Sequence, residues 1–131
     1  MKKLFLFAII TICFCTKSNA QLTTKDFKLY LDDIASSDSP RIITKEQFLH
    51  AHKVSANFSW LKINQLIIYM GEGNYTSEIV TYVCKGDTLT KEFKDTYGPR
   101  MSSGLPITIS IEAVNRQNQP IEWSSISIVL K

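Results

Sequence analysis

Cysteine is the residue this chain has least to spare. It has three, Cys13, Cys15 and Cys84, and two of them fall in the first twenty residues. If those twenty are removed as a leader, Cys84 stands alone and a disulfide framework is excluded. Histidine is scarcer still in the full chain, with only His50 and His52. Net charge is also missing. Removing Lys2, Lys3 and Lys17 with the leader leaves twelve Lys and Arg against twelve Asp and Glu, so the basic pI belongs mostly to the leader. A balanced chain has no electrostatic footprint for nucleic acid or an anionic membrane. There is no internal repeat, heptad run or low-complexity tract. Stability must come from an apolar core, which a domain of about 100 residues can supply.

What is present begins with the leader. Lys2 and Lys3 open it, Leu4 to Phe14 form an apolar run, and Ser18-Asn19-Ala20 is a small-residue site before Gln21. This order of charge, apolar run and small residues is that of a secretory signal peptide, residues 1–20. The run is short for a membrane span, which needs about 20 apolar residues. An alternative is a lipoprotein anchored at Cys15, against which stands bulky Phe14 where a small residue is expected. Either way the chain is expected to be exported, periplasmic or secreted, with no membrane span in its mature form.

Downstream the apolar period is two. Leu105, Ile107, Ile109, Ile111 and Ala113 alternate with polar residues or proline, the pattern of a strand with one buried face. Asn115 to Pro120 is a polar turn, and Ile121, Trp123, Ile126, Ile128 and Leu130 resume, with a change of face that predicts a bulge near Ser124-Ser125. The two runs predict a β-hairpin. Val54, Ala56, Phe58 and Trp60 predict another strand, as do Leu66 to Met70, Ile79 to Cys84, and Phe27 to Leu31. Gly71-Glu72-Gly73-Asn74 and Lys85-Gly86-Asp87 read as turns. Two short helices interrupt the strands. Thr44 with Gln47 forms a capping-box pattern that predicts a helix from Lys45 to about His52, and Thr90 caps a second helix through Tyr97, stopped by Gly98-Pro99. Residues 21–40 read as an N-terminal strand followed by a serine-rich linker from Ala35 to Pro40. The expected class is all-β with two connecting helices.

The order Ile43 to Leu49, Val54-Ser55-Ala56 with Phe58, then the strand Leu66 to Met70 resembles the C-terminal domain of the GldM/PorM family, which belongs to gliding motility and type IX secretion in Bacteroidetes. The resemblance continues through Lys85 to Thr90, Ser103-Gly104, the strand Leu105 to Ala113 and Ile121 to Lys131. It covers 41–131 and rests on element order rather than on a chemical motif. It implies an immunoglobulin-like β-sandwich engaged in protein–protein contact in the periplasm, with no catalytic residues to carry over. Full-length members have a transmembrane helix, a helical periplasmic region and further β-domains, so this chain is expected to be a stand-alone exported domain.

A search for chemistry among the residues gives no constellation. His50-Ala51-His52 has a metal-ligand spacing only on a strand, and in a helix positions two apart do not share a face. Cys84 falls in a strand, where a buried inert thiol is expected rather than a nucleophile. Asp32-Asp33, and Glu92 with Asp95, read as solvated acids rather than a catalytic pair. Gly71-Glu72-Gly73 is too short for a phosphate loop. Asn57-Phe58-Ser59 and Asn74-Tyr75-Thr76 are formal sequons, incidental in a bacterial protein. No catalytic, metal or cofactor residue is expected, and the chain is not read as an enzyme.

Aromatics carry the binding expectation, because Tyr and Trp are enriched at interface hot spots. Of Trp60, Tyr69, Tyr75, Tyr82, Tyr97 and Trp123, most are assigned to the core. Tyr75 in the Gly-Asn turn and Tyr97 beside Gly98-Pro99 are the candidate protein contacts. The expected function is a non-enzymatic interaction module of the bacterial cell envelope. Its partner would be an envelope or secretion-system protein, bound through loops or an exposed sheet edge, and such an edge also allows a homo-oligomer. The alternative is a periplasmic small-ligand or carbohydrate-binding domain with loop aromatics as stacking platforms.

Overall fold

A computed structural model describes residues 27–71, 79–121 and 125–131. The leader, Cys15, Tyr75, Trp123 and the bulge expected near Ser124 lie wholly or partly outside these residues. The described chain is mostly β, in two sheets with no barrel, as a β-sandwich requires. The smaller sheet is β2-β1-β4, from β1 (Leu29–Leu31), β2 (Ile34–Ala35) and β4 (Val54–Ala56). The larger has the order β3-β8-β7-β5-β6. Its strands are β3 (Arg41–Ile43), β5 (Lys62–Gly71), β6 (Ile79–Lys85), β7 (Pro106–Val114) and β8 (Ser125–Leu130). All pairs are antiparallel except β3 with β8, which run parallel.

The two helices sit where their caps predict. Helix α1 is Lys45–His50, with the Thr44 hydroxyl accepting from the Gln47 N–H at 3.1 Å and Gln47 Oε1 accepting from the Thr44 N–H at 2.9 Å. This reciprocal pair satisfies two of the donors a helix start leaves open. Helix α2 is Lys91–Tyr97, capped by Thr90 and continued as a 3₁₀ turn over Gly98–Arg100. Each helix buries one phenylalanine, Phe48 and Phe93, and the two rings meet edge to face at 6.3 Å.

One core joins both layers. Alternation puts Leu66, Ile68 and Met70 of β5, Ile107, Ile109 and Ile111 of β7, and Ile126, Ile128 and Leu130 of β8 on the same buried face. Leu29, Leu31 and Val54 of the small sheet meet this face together with Phe48 and Phe93. Strand β1 therefore belongs to the same core as residues 41–131, and the linker expected from Ala35 begins with a residue paired in β2.

One other expectation needs correction. The alternation of Val54 to Trp60 is not one strand: β4 ends at Ala56, and Phe58 and Trp60 turn away to form an aromatic trio with Phe27, at 5.2–6.3 Å between rings. The pairing irregularity that the structure describes lies in β5, where the register slips between Ile63 and Gln65 and the Asn64 carbonyl accepts from Gly86 N at 2.7 Å. Gly86 has φ +81°, a conformation that only glycine adopts freely. Gly71 ends β5 for a different reason: a Cβ there would stand 2.9 Å from the Pro106 ring.

Candidate interaction edge

β6 is an outer strand of the larger sheet, hydrogen-bonded to β5 from Gln65↔Lys85 to Gly71↔Ile79. Among the described residues no strand pairs with its other side. Its alternation separates two roles. Val80, Tyr82 and Cys84 face the core, opposite Met70, Ile68 and Leu66. Ile79, Thr81, Val83 and Lys85 face outward, and Ile79 and Val83 stay 65 % and 48 % exposed. No charged residue occurs in the strand before Lys85.

The strand is held firmly from beneath. The Tyr82 ring lies 5.2 Å from Phe93 and 5.5 Å from Tyr97, and Phe93 and Tyr97 are 5.6 Å apart. Helix α2 therefore supplies an aromatic bed for β6, each such pair adding about 0.5–1.5 kcal/mol beyond area burial. Cys84 is fully buried with its Sγ 3.7 Å from the Thr90 hydroxyl, as the inert reading expects.

Tyr97, expected in an exposed loop, is instead the last residue of α2, half-buried against Tyr82 and Phe93. It also lines a cavity of about 260 Å³ with Met70, Val80, Arg100 and Met101. A wider hollow of about 450 Å³ lies over β5 and β7, lined by Asn64, Ile67, Ser110, Glu112, Val114 and Ile121 among others. Neither includes Trp60, and among the described residues no aromatic lines the larger one.

The remaining titratable groups have structural roles. His50 closes α1 with its Nδ1 2.7 Å from the Glu46 carbonyl, and His52 lies beyond the helix. Among the described residues no three His, Cys, Asp or Glu converge as metal ligands. Asp32 is exposed, as its reading as a solvated acid expects, and it also binds backbone amides. Its two carboxylate oxygens accept from His52 N at 3.0 Å and Lys53 N at 2.9 Å, while its own N–H donates to the Lys53 carbonyl at 2.8 Å. It sits at φ +50° in the two-residue turn between β1 and β2, a conformation that Asp tolerates better than most residues. Lys94 of α2 donates to the Ala51 carbonyl and stands 3.4 Å from His52 Nδ1. Burial lowers the Lys94 pKa below the usual lysine value, and the Asp32 charge partly opposes this. Glu92 and Asp95 do lie on the exposed side of α2, where Lys91 and Asp95 form a solvent-exposed pair at 3.7 Å.

Sequence reasoning missed that β6 is an edge. Its composition says strand, but strand order is decided by pairing between distant segments. A scan against protein-family models, a search of curated proteins and a search of solved structures each give no match to this chain.

Proposed function

We propose that this chain is an exported, non-enzymatic interaction module of a bacterial cell envelope, built as an immunoglobulin-like domain of the GldM/PorM C-terminal type, whose working surface is the β6 edge. The observation that carries this reading is the seven-residue edge that no strand covers among the described residues, with its two exposed aliphatic side chains. Unpaired N–H and C=O groups along such an edge accept an extended peptide as a further strand, and alternate side chains select it. Natural edges are usually blunted by charge or proline, and this one has neither before Lys85.

The order β8-β7-β5-β6 supports the immunoglobulin-like part, since it follows the G-F-C-C′ order of a variable-type sheet. The second layer departs from that plan: it is a three-stranded sheet, with α2 following β6. The leader composition supports export. Tyr75, by sequence in the β5–β6 connection, and Tyr97, beneath the edge, are the proposed flanking contacts. The carbohydrate alternative gains no support from the described residues that line the larger hollow, which include no aromatic.

Affinity capture from a cell-envelope extract tests the proposal, with the purified protein as bait. One enriched envelope protein is expected, lost on Val83→Lys and weakened by alanine at Tyr75 and Tyr97. A folded, monomeric bait that enriches nothing, or a capture that ignores Val83→Lys, overturns the edge as the working surface.

A further inference from the structure

We infer that the segment which the β6 edge accepts is β6 of a second copy of this chain, paired antiparallel about a two-fold axis through Thr81. This names the occupant of the proposed edge and rests on that reading.

The argument starts from symmetry. Two identical edges can pair antiparallel within one continuous sheet only about an axis perpendicular to the sheet, which makes the contact isologous. Residues directly opposite one another then point to the same face. Because β6 alternates, opposed positions must be an even number apart, so the axis passes through a residue and only a few registers are open. With Thr81 on the axis, exposed Ile79 faces Val83 of the second copy, and Val83 faces its Ile79. On the other face Val80 meets Tyr82. Moving the axis to Tyr82 sets Ile79 against Lys85 and loses the aliphatic pair. The outward row Ile79-x-Thr81-x-Val83 is thus its own complement.

Charge supports the same arrangement. Lys85 is the only charged residue in β6, and the Thr81 register carries the two lysines to opposite ends of the paired segment. A parallel arrangement would bring them side by side, where like charges destabilise a pair. The strand is also preorganised, since Tyr82 is fixed on Phe93 and Tyr97 and little order is lost on pairing.

Sedimentation velocity from micromolar to millimolar concentration, on the purified protein in its processed form, tests the inference. A reversible dimer is expected for the wild type and a monomer throughout for Val83→Lys, with the same circular dichroism in both and the same unfolding midpoint at dilutions where the wild type is monomeric. Mild oxidation supplies the register: Thr81→Cys forms a disulfide-linked dimer, because position 81 faces itself, whereas Val83→Cys does not. A monomeric wild type, a dimer indifferent to Val83→Lys, or cross-linking through position 83 in preference to 81 each overturns it. If a monomeric wild type still captures an envelope protein in a Val83-dependent way, self-pairing falls while the edge reading stands.

Discussion

One edge of the larger sheet, β3, is three residues long and follows Pro40. The other, β6, is seven residues long and contains neither proline nor charge before Lys85. β3 is also tied at both ends, by the Arg41 Nε bond to the Ala35 carbonyl at 2.8 Å and by the Lys131 N–H bond to the Ile43 carbonyl at 2.8 Å. Both edges expose an aliphatic side chain, Ile42 at 70 % and Ile79 at 65 %, so hydrophobicity alone does not separate them. Length and anchoring do. A three-residue parallel edge offers few outward backbone groups, whereas β6 offers a run long enough to template another strand.

If the open edge is held from below by its aromatic bed, Phe93→Ala should have the largest effect of any single change at either edge. The ring is fully buried against Phe48, Tyr82 and Tyr97, and its loss is expected to cost about 3–5 kcal/mol in a urea titration. A loss below about 1 kcal/mol would mean that the bed does not hold β6. The short edge depends instead on the junction with α1. Thr44→Ala removes the cap that follows β3 and should cost about 1 kcal/mol, with amide exchange rising first at residues 43–47.

Val83→Lys should barely change folding stability, by less than about 0.5 kcal/mol, because the side chain it replaces already faces water. The comparison fails if that substitution unfolds the protein. Lys94 sharpens it least. Burial sets its folded pKa below the unfolded value, so below the folded pKa its charge counts against folding, and the penalty fades as pH rises toward the ordinary lysine value. A small gain in stability over that alkaline interval is expected in pH-dependent unfolding, and it should vanish in Lys94→Met. The amine's bond to the Ala51 carbonyl persists in either protonation state, which keeps the effect modest.

The features legible in the sequence are those set by neighbours along the chain. The caps at Thr44 and Thr90 work over three residues, and both helices begin where those residues place them. The alternation from Leu105 to Ala113 marks β7 to within a residue at either end, since period two on a half-buried strand leaves little choice of face. The hairpin turn is legible too: Asn115 Oδ1 accepts from Gln117 N and Gln119 N, closing the loop between β7 and β8. The illegible features depend on distant partners. Phe58 and Trp60 continue the alternation of β4, but an aromatic cluster with Phe27 takes them out of the strand. The amide bonds of exposed Asp32 are not legible because their partners lie twenty positions away. β3 has too few residues for any period, and it is a strand only because β8 lies beside it. Tyr97 reads as a loop residue through the adjacent Gly98-Pro99, yet α2 carries it to its end and turns its ring inward.

The position of β8 between β3 and β7 sets a timetable for assembly. Arg41 pairs with Ile128 and Ile43 with Leu130, so β3 has no neighbour in its sheet until residues 125–130 are present. A chain delivered N-terminus first, from a ribosome or through a translocation pore, can form the β5–β6 hairpin early but leaves β7 unmatched on one side. Until β8 arrives, no strand lies between β3 and β7. The strand that arrives late is the one that locks the layers together.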